Sequence, residues 1–248
     1  MRNTTESTNN SYDELKMYFG EDYKVNDYIT IHSPSLGDII DFGEQKYFSI
    51  VNMLTCIPSD MKSQLFDMGI DYETLPDYEL FIMLSRTLKQ EDTRLILGDV
   101  DLSSFQISST EDGRLFLTSP DGAVIDELAY MKMAGYLRKY HGIVPKIEKA
   151  ANKTTKKILI QLDRDRIAKA QKEGYKSQFK ILVSAMMRYP GFNYKISELK
   201  ELSLYAFMDA VKGAQIYVAS TALLSGAYSG FCDTSKVPKN EFNWMRDE

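Results

Sequence analysis

The sequence predicts an α+β fold that is predominantly helical and carries a small antiparallel β-meander. Three observations lead there. Residues 33–88 hold the densest helical punctuation, with Gly43, Pro58, Gly69 and Pro76 separating apolar runs spaced by threes and fours. Residues 105–125 change character, because two Gly-containing turns, Glu111-Asp112-Gly113 and Pro120-Asp121-Gly122, divide short alternating segments. Beyond residue 126 the chain returns to long helical patterns. The 44% hydrophobic content over 248 residues is enough for one large core or two modest ones, which excludes disorder throughout.

Taken in order, residues 1–11 are polar and read as a disordered tail. Residues 12–19 suit a turn or two of helix. Residues 23–32 alternate as a strand, with Val25, Ile29 and Ile31 on one side and Pro34 ending it. Ser35 caps a short helix through Phe42, which Gly43 closes. The next helix, 44–57, aligns Tyr47, Phe48, Val51 and Leu54 on one stripe. Pro58 stops it, and Ser59 or Asp60 opens another through Met68. Pro76 opens a third, rich in Leu80, Phe81, Met83 and Leu84, and 92–97 is a short helix closed by Gly98. Strands at 105–109, 114–118 and 123–125 make the meander, and Asp126 caps a helix to Tyr140 that ends at His141-Gly142.

Residues 146–172 form the most polar long helix. Ile147, Ala151, Thr155, Ile158 and Leu162 give it a narrow stripe, and its nine Lys or Arg against three acids leave the remaining surface strongly basic. Residues 176–189 form a further helix ended by Pro190. Glu198-Leu-Lys200 sits in a helical context. Ser203 begins the most apolar helix, with Leu204, Phe207, Met208, Val211, Ala214, Val218 and Ala222 in register as a core element. The end of the chain is irregular and holds the single tryptophan, Trp244. The expected organisation is a disordered 1–11, an acidic helical bundle with the meander over 12–142, and a basic helical part over 143–248 that can be continuous with it.

Charge divides along the same line. Residues 1–130 carry 24 acids and 9 bases, net −15, and residues 131–248 carry 11 acids and 21 bases, net +10. This division fits either a basic interaction surface or two halves that complement one another within a molecule or between copies. The second is preferred, since an acidic half weakens long-range attraction to a polyanion. Cys56 lies on an apolar helix face far from Cys232, which reads as a buried thiol in a reducing compartment. No apolar leader opens the chain and no run approaches the roughly 18 apolar residues of a membrane helix, so a soluble intracellular protein without membrane contact is expected.

Nothing in the sequence organises catalysis. His32 and His141 have no zinc-type ligand spacing around them. Asp99-Val-Asp101-Leu-Ser103 opens like a calcium loop, but Ser104 stands where glycine is needed and Thr110 where a bidentate Glu belongs. Pro120-Asp121 with Glu198-Leu-Lys200 echoes a nuclease set, yet on a turn and a helix rather than on convergent strands. Asp38, Asp41 and Glu44 suit the start of a helix as surface charge. Ser229 lacks the nucleophile-elbow spacing, and no phosphate loop or dinucleotide fingerprint occurs. No enzyme activity, cofactor or metal is expected. The candidate partner-binding residues are Lys153, Lys156, Lys157 and Arg164 on the basic helix, and Phe242, Trp244 and Met245 in the terminal segment. The basic residues suit a solvated face or a polyanion, and the terminal ones staple onto the core or anchor a partner.

The run HSPSLGDIIDFGEQKYF at 32–48, continued by PSDMKSQLFDMGIDY at 58–72, resembles proteins encoded among the tail-morphogenesis genes of long-tailed bacteriophages and prophages. The end of the chain, GAYSGFCDTSKV at 226–237 and EFNWMRD at 241–247, is similar to the ends of the same proteins. The resemblance implies a non-catalytic tail assembly chaperone that coats the tape measure protein in the bacterial cytoplasm until tail tube subunits polymerise. Its expected partners are the tape measure protein and other tail proteins, with a homo-oligomer allowed and nucleic acid not expected. The alternatives are a structural virion protein of the tail or connector, found in the virion, and a nucleic-acid-binding regulator using the basic helix.

Overall fold

The computed structural model describes residues 12–230 and 233–246. The disordered tail expected at 1–11 and the cysteine at 232 lie outside them. Among the described residues the chain is predominantly helical, with a two-stranded and a three-stranded antiparallel sheet, as the sequence predicts.

Asp13 caps α1 (Glu14–Tyr18) by accepting from the amides of Leu15 and Lys16. The strand expected over 23–32 is instead a hairpin, β1 (Tyr23–Lys24) against β2 (Thr30–Ile31), with Tyr23 opposite Ile31. Asn26 is the reason. Its side-chain oxygen accepts from the amides of Tyr28 and Ile29, and this local turn outcompetes an extended strand. Ser35 and Asp38 form a capping box at α2 (Leu36–Phe42). Gly43, at φ +102°, then turns the chain directly into α3 (Glu44–Thr55), which buries Tyr47, Ile50, Val51 and Leu54.

A 3-10 turn (Pro58–Met61) leads into α4 (Lys62–Asp67), and α5 (Asp77–Ser85) and α6 (Gln90–Leu97) complete the front bundle. The meander is β3 (Gln106–Ser109), β4 (Leu115–Thr118) and β5 (Val124–Ile125), with Ile107 opposite Leu117 and Leu117 opposite Ile125. Fully buried Leu117 and Ile125 seat it on the core, and the Tyr78 hydroxyl donates to the Ile125 carbonyl at 2.5 Å. Asp126 caps α7 (Glu127–His141), whose Arg138 donates to the carbonyl of Thr55 at 2.7 and 2.9 Å and so caps the end of α3.

The back half contributes α8 (Lys153–Glu173), α9 (Gln178–Arg188), α10 (Ile196–Glu201) and α11 (Leu204–Tyr228). The main core draws on both halves: Met17, Tyr47, Phe81 and Tyr136 share it with Phe179, Leu204 and Phe207. Two contacts to backbone groups are among those that fasten the halves together. Glu44 accepts from the amides of Gln178 and Phe179 at the start of α9, and the Leu36 amide donates to the Leu202 carbonyl. A smaller core of Cys56, Leu65, Tyr72, Leu80 and Ile160 lies under α8.

Two expectations are corrected here. The basic helix begins at Lys153 rather than 146. Glu73 accepts from the Ala150 amide, the Ser59 hydroxyl accepts from the Glu148 amide, and Lys62 pairs with Glu148 at 2.9 Å, which together hold 148–150 as non-helical chain against the front half until Asn152 can cap. The last helix is not core along its length. Leu204, Phe207 and Val211 are buried, whereas Val218, further along the same stripe, is 56% exposed.

Candidate protein-binding surface

On α8 the face that docks is not the one the sequence favours. Ile158 and Leu162 stay exposed, as does Ile147 ahead of the helix, and Ile160 and Asp163 are buried instead. Electrostatics decides the face. Lys156 pairs with Asp71 and Glu73, Arg164 pairs with Asp67, and Asp163 accepts from the backbone amide and hydroxyl of Ser63 and from Arg166. Burial alone would raise the Asp163 carboxyl, but the hydrogen bonds from Ser63 and Arg166 outweigh it and hold the group below its ordinary value. Lys156 likewise loses solvation, and its two carboxylates more than restore its charge, raising its pKa. Two of the four predicted basic residues are thus engaged within the chain, while Lys153 and Lys157 face solvent. These ion pairs make the acidic front and basic back complementary inside one molecule.

The terminal segment folds back on the outer half of α11. Its 3-10 turn (Lys239–Phe242) presents the Glu241 carbonyl to the Ser220 hydroxyl at 2.8 Å, and Arg246 pairs with Glu241 at 2.6 Å. The Trp244 ring meets Tyr217 edge-on with centroids 5.9 Å apart. Phe242 is half-buried, whereas Trp244 and Met245 keep most of their surface exposed. The segment therefore covers one side of α11 through Tyr217 and Ser220.

Another side of α11 is open. The stripe Leu204, Phe207, Val211 continues as Ala214, which still packs against the core beside α9, and Val218, which does not. Leu182, Met186 and Tyr189 of α9 face Val211, Ala214 and Val218 across a trough of about 430 Å³, with no charged side chain among its lining residues. Such a trough accepts an apolar helix face. Sequence reasoning missed it by assigning all of the α11 stripe to the core. The signal was present in the composition, since 213–230 holds no charged residue, more chain than one buried stripe requires.

The remaining polar groups have local work. His32 pairs with Asp22 at 2.7 Å, Asp101 caps the 3-10 turn at Leu102–Ser104, Glu198 accepts from the Lys195 amide, and the Ser229 hydroxyl donates back to the Ser225 carbonyl. His141 is packed among Tyr47, Phe48 and Tyr140, its Nε2 accepting from the Tyr47 hydroxyl at 2.8 Å and its Nδ1 donating to the Leu137 carbonyl at 2.7 Å. Burial lowers its pKa to about 4. Among the described residues, no three His, Cys, Asp or Glu side chains gather where they could hold a metal ion, and no helix is long and apolar enough to cross a membrane. Comparison of the chain with protein-family models, curated proteins and solved structures found no match.

Proposed function

We propose that this chain is a non-catalytic tail assembly chaperone that holds a helical segment of the tape measure protein, or of another phage tail protein, in the trough between α9 and α11. One observation carries the reading: the apolar stripe of α11 leaves the core beyond Ala214 and at Val218 forms the wall of an open trough. A helix with this composition in water is stabilised by a partner that covers it. The resemblance of residues 32–48, 58–72, 226–237 and 241–247 to tail-morphogenesis proteins suggests the partner class. Chaperoning requires apolar contact and release, and asks no chemistry of the site. The site of action under this reading is the cytoplasm of the bacterial host.

A tagged pull-down from infected or induced cells, read by mass spectrometry beside a protein census of purified virions, tests it. Recovery of the tape measure protein, with this chain missing from virions, is the expected result. Stoichiometric presence in virions would instead make the chain a structural part of the tail or connector.

A further inference from the structure

We infer that the occupant of the α9–α11 trough is an amphipathic helix carrying carboxylates along one flank, an inference that rests on the trough being the partner site. Apart from Gln215 the floor and walls are mostly apolar, so the occupant supplies an apolar stripe at helical spacing. The flanks select its charge. On α9, Leu182, Ala185, Met186 and Tyr189 point into the trough, and Ile181 and Arg188, seven residues apart, share the adjacent solvent-facing stripe. Ile181 is 61% exposed and extends the apolar surface outward.

Arg188 donates to the Ser184 carbonyl of its own helix at 3.0 Å, and among the described residues no carboxylate lies within ion-pair distance of it. Residues 174–197 contain Lys176, Lys180, Arg188 and Lys195 and no Asp or Glu, and residues 210–230 likewise contain no acid. Lys176 pairs with Glu173 at 3.7 Å and Lys195 with Glu198 at 3.8 Å, so the charge that α9 holds out beside the trough is Arg188. A second copy docking wall to wall would place like charges together, whereas a carboxylate-flanked helix meets its complement.

The test uses the full-length protein and two labelled peptides of about five helical turns, with the same leucine stripe but Glu flanks in one and Lys flanks in the other. The Glu-flanked peptide is expected to bind about fivefold more tightly at low salt, with the gap closing as salt is added. Val218→Asp should weaken both peptides by at least about tenfold, and Arg188→Glu should reverse their order. Both positions are exposed, and unchanged thermal melts establish that the variants fold. Equal or Lys-favoured binding to the wild type, or full binding by Val218→Asp, would overturn the inference. So would a wild-type dimer in sedimentation that Val218→Asp makes monomeric. Peptide selectivity without recovery of any tail protein from cells would leave this site standing and remove the tail assignment. Tail protein captured equally by Val218→Asp would place the partner elsewhere and remove the site.

Discussion

His141 is where solvent pH reaches the core. Its ring sits in an aromatic cage with both nitrogens used, and the cage has no carboxylate hydrogen-bonded to either nitrogen to support a charge. The folded chain therefore prefers the neutral ring, with a pKa of about 4 against an ordinary 6.5. Between those values the unfolded chain binds more protons, so the stability that the neutral ring contributes is full above pH 6.5, falls as the pH drops, and is gone below about 4. The full difference amounts to about 3 kcal/mol. Urea unfolding at pH 7 and pH 4.5 should show most of that loss in the wild type and much less in His141→Phe. A second test at this scale is Gly37 on α2, where an added Cβ would stand 3.1 Å from the Lys200 carbonyl of α10. Gly37→Val should cost about 1–3 kcal/mol through that backbone contact, read as a lower urea midpoint at unchanged slope.

At the scale of elements, α8 is held to the front half more by polar groups than by apolar burial, with Ile160 as its one residue in the smaller core. Asp163→Ala would leave the Ser63 amide and hydroxyl without their acceptor, at a cost of about 1–3 kcal/mol. Hydrogen exchange should then quicken in α8 while the centre of α7 keeps its protection. Equal exchange in the wild type and the variant would show that Ile160 and the Lys156 and Arg164 pairs hold the helix without Asp163.

The same element shows what could be read in advance. Caps and breakers were legible: Ser35, Asp126 and Ser203 start helices as their side chains dictate, and the meander turns fall at Gly113 and Gly122. Those signals are local. The docking face of α8 was not, because Lys156 and Arg164 chose it by pairing with acids 83 to 97 residues away, which no periodicity records. The Asn26 turn was missed for a simpler reason, since one side chain overrode an alternating pattern. The trough was half legible: α9 and α11 were both expected as helices, but where the α11 stripe leaves the core depends on which helix lies beside it.

For the whole molecule, the charge division turns inward. Lys139 pairs with Glu14, Lys156 with Asp71 and Glu73, and Arg164 with Asp67, so the basic half is partly neutralised by the acidic one. At the α9–α11 end an apolar trough stays open, with the terminal segment covering the neighbouring side of α11. The most direct measurement is photo-cross-linking in cells making the tail proteins, with a photoreactive residue placed at Val218 in one variant and at Lys157 in another. The account predicts a cross-link from position 218 into a helical segment of a tail protein, and none from position 157. Cross-links to that protein from 157 alone, or from 218 only to a second copy of this chain, would contradict it.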